Sequence, residues 1–182
     1  MSAKDTKSRM RSRVWLGLFV KIFLLIILIV FILPSHLIIP VRNATRDDWN
    51  HQSFWYYPWG DSGVHKGIDI FAPGGTDVLA PVSGIVLSTS ESNNGGRTIS
   101  LLGPKWRVYY FAHLDTCLVS AGNFVTQNSV IAKVGNSGNA INKPPHLHFS
   151  IFSILPHFWE YNHTSINSYQ KVFYLDPDSY LN

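Results

Sequence analysis

The chain is poor in charge. Asp, Glu, Lys and Arg make up 14% of its 182 residues, against roughly 25% in ordinary soluble domains. Part of its 46% hydrophobic content is therefore expected to face something other than a core. A single cysteine, Cys117, excludes an intramolecular disulfide framework and any multi-cysteine zinc site. Glutamate occurs twice, as Glu91 and Glu160. No H-E-x-x-H is present, nor a G-x-S-x-G elbow or a Walker A loop. Paired-carboxylate glycoside hydrolysis would have to use those two glutamates and the aspartates of residues 34–182, which show no characteristic spacing.

Aromatics are plentiful: 11 Phe, 8 Tyr and 6 Trp. With a net charge of only +4, they exclude disorder for most of the chain. The positive charge is confined to one end. Residues 1–33 hold Lys4, Lys7, Arg9, Arg11, Arg13 and Lys21 against Asp5 alone, whereas residues 34–182 carry nine basic and ten acidic groups. No basic stripe remains on the body to track phosphates, so no nucleic-acid partner is expected.

Residues 14–33 read VWLGLFVKIFLLIILIVFIL, closed by Pro34. Twenty residues at 1.5 Å rise span ~30 Å, about one hydrocarbon core. The sequence therefore predicts a basic cytoplasmic leader over 1–13 and a transmembrane signal anchor over 14–33, with the body on the exported side. Lys21 is placed to snorkel toward the cytoplasmic face. A cleaved signal peptide with an apolar core over Ile22–Leu33 competes with this reading, but the stretch that follows offers no A-x-A-like site.

Residues 34–60 read as an aromatic-rich connector containing Trp49, Phe54, Trp55, Tyr56, Tyr57 and Trp59. These rings could form a membrane-interface belt, line a cleft wall or simply pack. From about residue 61 to 154, short β-type runs (GIDIFAP, DVLAPVSGIVLST, RTISLL, RVYYFAHL, SVIAKVG, HLHFSIFSI) alternate with Gly/Asn/Pro breaks. The expected class is all-β, an antiparallel sandwich or barrel-like domain behind one N-terminal transmembrane helix. Residues 155–182 read as a tail lying on that domain.

Of the eight histidines, His146 and His148 open an apolar run. Period-2 alternation puts both imidazoles on one strand face, ~7 Å apart at Cα. His65 and Asp69 would lie ~13 Å apart on a straight strand, too far to share a metal. A shared metal predicts a bend at Lys66-Gly67. His113 in VYYFAHLD stands where a strand is expected to end. Taken singly, each of these is as well explained by an ordinary surface or half-buried histidine. Cys117 is expected as a small buried hydrophobe rather than a reactive thiol.

Taken in order, VHKGIDI, FAHLD and PPHLHF resemble the LytM/lysostaphin-type zinc metallopeptidases that cut peptidoglycan cross-bridges or stem peptides. The likeness extends to APGGTDVLAPVSGIV, VGNSG and LDPDSYL. The resemblance implies a Zn²⁺ held by His65, Asp69 and His148, with His113 and His146 acting on water and substrate as catalytic residues. Three protein ligands leave a fourth tetrahedral position open, as catalytic rather than structural zinc requires. With no glutamate in the three motifs, proton handling falls to histidine. Peptidoglycan peptides are the implied partner. The family usually has T-G-P before H-L-H-F and an acidic residue after it; this chain has Lys143-Pro144-Pro145 and Ser150, and Phe111 replaces a frequent tyrosine. A catalytically inactive relative that binds cell wall or activates another hydrolase is the alternative, but such relatives typically lose ligands.

Overall fold

The computed structural model describes residues 3–32 and 35–181. The chain divides into two compact units, Met1–Pro34 and Ser35–Asn182. The first holds helix α1 (Ala3–Ile32), whose described side chains from Trp15 to Phe31 include many exposed large apolar groups. Among the described residues no helix is long and apolar enough to cross a membrane. The last residue of the expected anchor, Leu33, lies outside the described residues.

The second unit is mostly antiparallel sheet. Its strands are β1 (Ile68–Phe71), β2 (Asp77–Leu79), β3 (Gly84–Ser92), β4 (Gly96–Gly103), β5 (Arg107–Cys117), β6 (Phe124–Val125), β7 (Val130–Val134), β8 (His146–Ser153) and β9 (Tyr174–Leu175). The main path runs β1-β8-β5-β4-β3-β6; β7 pairs with β5 and β2, and β9 pairs with β8. A short helix, α2 (Ser168–Lys171), precedes β9.

Strict alternation makes the central strands two-faced. Ile68 and Ile70 of β1, Tyr109 and Phe111 of β5, and Leu147, Phe149 and Ile151 of β8 are fully buried in one core. The intervening residues Asp69 and Phe71, Val108, Tyr110 and Ala112, and His146, His148, Ser150 and Phe152 line a single cleft of about 790 Å³ on the opposite face. Burying the apolar set thus turns every intervening polar group toward one surface. Register then stacks them: Asp69 faces His148 on one side, Ala112 faces it on the other, and Phe71 faces His146.

The expected bend is present at Gly67. Glycine is required there by close approach: a Cβ at Gly67 would lie 2.2 Å from the Phe149 carbonyl oxygen. Gly67→Ala would have to push β1 off β8. We expect a loss at the upper end of the overpacking range, about 3 kcal/mol, measured by denaturant unfolding.

The segments expected as a connector and a tail both belong to the compact unit. β9 extends the sheet beside Ile151 and Phe152, and Leu37 bridges Leu181. One carboxylate oxygen, Asp178 Oδ1, accepts from Arg46 Nη2 (2.9 Å) and Trp49 Nε1 (2.8 Å) and lies 2.6 Å from His51 Nδ1. Burial would raise the Asp178 pKa, but the hydrogen bonds from His51 and Trp49 outweigh it and hold it below the ordinary value. Trp49 is 5% exposed, so Asp178→Ala strands a buried indole N–H. The expected cost is about 1–3 kcal/mol, read as a lowered urea midpoint.

Candidate active site

Three ligand-type atoms converge between β1, β8 and the turn before β1. His65 Nε2 lies 3.1 Å from Asp69 Oδ1 and 3.0 Å from His148 Nδ1, and the last two are 2.8 Å apart. Asp69 and His148 face each other directly in the antiparallel register. His65 reaches them because the chain bends at Gly67.

The protonation chemistry of this triangle is unusual. His65 Nδ1 lies 3.0 Å from the Ser53 carbonyl oxygen, which can only accept, so Nδ1 carries the proton and Nε2 presents a lone pair. Asp69 Oδ1 is also an acceptor. A single proton on His148 Nδ1 can satisfy one side of the triangle and leaves lone pairs opposed on another. A cation facing all three atoms relieves this, and atoms ~3 Å apart can all reach one ion at ~2.0–2.2 Å bonds. The donor set therefore fits a zinc ion held by His65, Asp69 and His148. Among the described residues this is the one group of three such side chains able to hold a metal.

The surroundings tune the same atoms. Burial pushes the His148 pKa down, and it prevails over the opposing pull of Asp69. For Asp69, burial acts upward, but the adjoining His148 and His65 imidazoles outweigh it and hold the carboxyl far below the usual carboxylate range. Trp59 stacks on His65, with ring centroids 4.1 Å apart and planes 26° apart, and shields that imidazole from water.

His113 and His146 stand beside the triangle. Their ring centroids are 5.0 Å apart, and His113 lies 6.0 Å from His148. His113 does not end its strand, contrary to expectation. β5 runs on to Cys117, and His113 sits in a register shift against β4 with φ +62°. Such a bulge re-aims a side chain within a continuing strand, and left-handed φ at a non-glycine residue is tolerated only where its surroundings hold it. Here the His113 N–H donates to the Gly95 carbonyl at 2.8 Å, and its Nδ1 meets the Ser137 carbonyl at 3.0 Å. His146 Nδ1 likewise meets the Pro144 carbonyl at 2.8 Å. Both imidazoles therefore carry their proton on Nδ1 and present Nε2 as a base. His146 Nε2 is 4.0 Å from Asp69 Oδ2. Burial pushes the His113 pKa down to about 4, so it is neutral at physiological pH.

All five residues singled out from the sequence meet in this cleft. Sequence reasoning missed the carbonyls of Ser53, Ser137 and Pro144 that set the tautomers. The aromatic run divides among its possible roles: Trp49 and Trp55 are buried, whereas Trp59 walls the cleft. Cys117, half-buried, has its thiol pKa raised by burial and does not line the cleft.

A family model described as peptidase family M23 matches residues 63–167, a span that contains the whole cluster, and the chain belongs to that family. An L-Ala--D-Glu endopeptidase of Bacillus subtilis is 33% identical over 116 residues, covering 59% of this chain and 36% of the relative. Lysostaphin of Staphylococcus staphylolyticus is 34% identical over 96 residues, covering 51% and 20%. The chain thus spans only about a third or less of the length of these relatives. Among solved structures, the catalytic domain of the antimicrobial peptidase lysostaphin from Staphylococcus simulans superposes with TM-score 0.54 at 28% identity, over 69% of this chain and 85% of that one.

Proposed function

We propose that the chain is a zinc-dependent endopeptidase that hydrolyses peptide bonds in peptidoglycan cross-links or stem peptides during cell-wall remodelling. The observation that carries this reading is the triangle of His65 Nε2, Asp69 Oδ1 and His148 Nδ1, all within 3.1 Å of one another, with two further base-form histidines at its edge. The family match and the L-Ala--D-Glu endopeptidase among the relatives support it.

Zinc held by His65, Asp69 and His148 would act as a Lewis acid, polarising the scissile carbonyl and making water acidic enough to attack near neutral pH. His113 and His146 handle the protons. Their Nε2 lone pairs face the cleft, so one can accept the proton of the attacking water. The resulting imidazolium can then donate to the leaving amine. Trp59 and Phe71 wall the cluster with apolar surface, which strengthens each of these charge interactions.

We further propose that residues 14–33 anchor the chain in the cell membrane behind the basic leader 1–13, with the catalytic domain periplasmic or extracellular. The support is the composition of that segment and its charge asymmetry. N-terminal sequencing of the mature protein separates an anchor from a cleaved signal. A reporter fused after Asn182 that remains cytoplasmic would reject export.

The deciding experiment is digestion of defined muropeptides by the purified chain with and without a chelator, the products identified by mass. Cleavage at one type of peptide bond, abolished by the chelator, is expected. An intact zinc-loaded protein that cleaves no muropeptide would favour the wall-binding or hydrolase-activating alternative.

A further inference from the structure

The floor of the cleft extends well past the histidine cluster. From His148 it continues along β8 through Ser150 to Phe152, about 13 Å at ~3.3 Å per residue. Tyr174 of β9 lies beside Phe152 and lines the same wall. Above this arm stands Lys66, half-buried, with Nζ 5.7 Å from the centre of the Tyr174 ring. Its backbone is anchored by the neighbouring Gly67, which lies against Phe149 and Ser150 of β8. Among the described residues Lys66 has no carboxylate within ion-pairing distance.

A half-buried ammonium on an aromatic wall gives up hydration and recovers part of it from the ring face. What it lacks is an anion. The other charged side chains lining the cleft are Asp69 within the cluster, Asp61 on the exposed Trp59–Ser62 turn, and Lys143 exposed at the opposite end near His146. Among the described residues no carboxylate is placed to neutralise Lys66, so the arm is suited to receive a negative charge from the substrate.

We propose that Lys66 is a specificity-determining residue that binds a free carboxylate on the substrate peptide, two to four residues from the scissile bond. An extended peptide with its scissile carbonyl at the cluster advances ~3.3 Å per residue along the floor and brings that carboxylate under the ammonium. The site therefore selects acidic peptides over neutral ones such as oligoglycine. This inference rests on the peptidase reading above and adds the chemical class of its substrate.

The test uses the full chain in detergent and pairs of peptidoglycan-derived peptides that differ only in a free carboxylate or its carboxamide at those positions. The wild type should show a KM about ten- to a hundredfold lower for the carboxylate member, the range of a charge-assisted hydrogen bond. Lys66→Gln should raise that KM to the carboxamide value while kcat and zinc content stay unchanged, and Lys66→Arg should keep the preference. Equal KM values for the two members in the wild type, or a preference that survives Lys66→Gln, would overturn the assignment. Should the wild type cleave neither peptide, the peptidase reading fails instead. Calorimetric binding of the same pair then decides the present point: tighter binding of the carboxylate member that Lys66→Gln removes upholds it, and equal binding refutes it.

Discussion

His113→Ala and His146→Ala should each retain one zinc per chain and lose ~10²–10⁴ in kcat, the usual contribution of a positioned acid or base, or about 3–5 kcal/mol of barrier. Zinc is expected to stay because neither imidazole belongs to the 2.8–3.1 Å triangle. The barrier rises because each presents Nε2 to the cleft in a tautomer fixed from behind, by the Ser137 carbonyl for His113 and the Pro144 carbonyl for His146. The pH dependence carries a sign. Burial holds the His113 pKa near 4 instead of 6.5, so its base form persists in mildly acidic solution. If His113 is the base, the acid limb of kcat/KM falls well below pH 6.5, and His113→Ala removes that limb. The same shift acts on stability. The unfolded chain takes up the His113 proton as pH drops below about 6.5 while the folded chain resists it, so this contribution is complete above that pH and fades toward pH 4.

His148→Ala should do more. It would remove one of the three proposed ligands, and two remaining ligands rarely hold zinc tightly. Metal content should fall to background and hydrolysis with it, a loss at least as large as in the His113 and His146 variants. Asp69→Ala should behave alike, since its carboxylate is the one negative charge among the three proposed ligands. Thermal denaturation distinguishes metal loss from misfolding. Without zinc the wild type retains lone pairs opposed across one side of the triangle of His65, Asp69 and His148, so His148→Ala should melt close to the chelated wild type rather than far below it. Full zinc occupancy in His148→Ala would remove that residue from the ligand set.

The parts of the fold and site that follow a short-range period were legible in the sequence. Alternation in HLHFSIF and IDIF places His146, His148 and Asp69 on one surface and Leu147, Phe149, Ile68 and Ile70 in the core, as the structure has them. The bend at Gly67 followed from a distance argument once His65 and Asp69 are taken to share a metal. Features set by distant parts of the chain were not legible. The bulge that re-aims His113 depends on its pairing with Gly95 and the carbonyl of Ser137, and nothing in FAHLD announces it. The stacking of Trp59 on His65 and the capture of Trp49 by Asp178 join segments up to 129 residues apart. β9 falls within the expected tail because a two-residue strand has too few positions to show a period.

The most direct test is reconstitution. The purified chain is stripped with a chelator, returned to metal-free buffer and titrated with zinc while hydrolysis of defined peptidoglycan peptides is followed by mass. A catalytic zinc at His65, Asp69 and His148 predicts no cleavage by the stripped protein and full recovery at one equivalent, with no recovery in His148→Ala at the same zinc concentration. Cleavage by the stripped protein, or full recovery in His148→Ala, would contradict it.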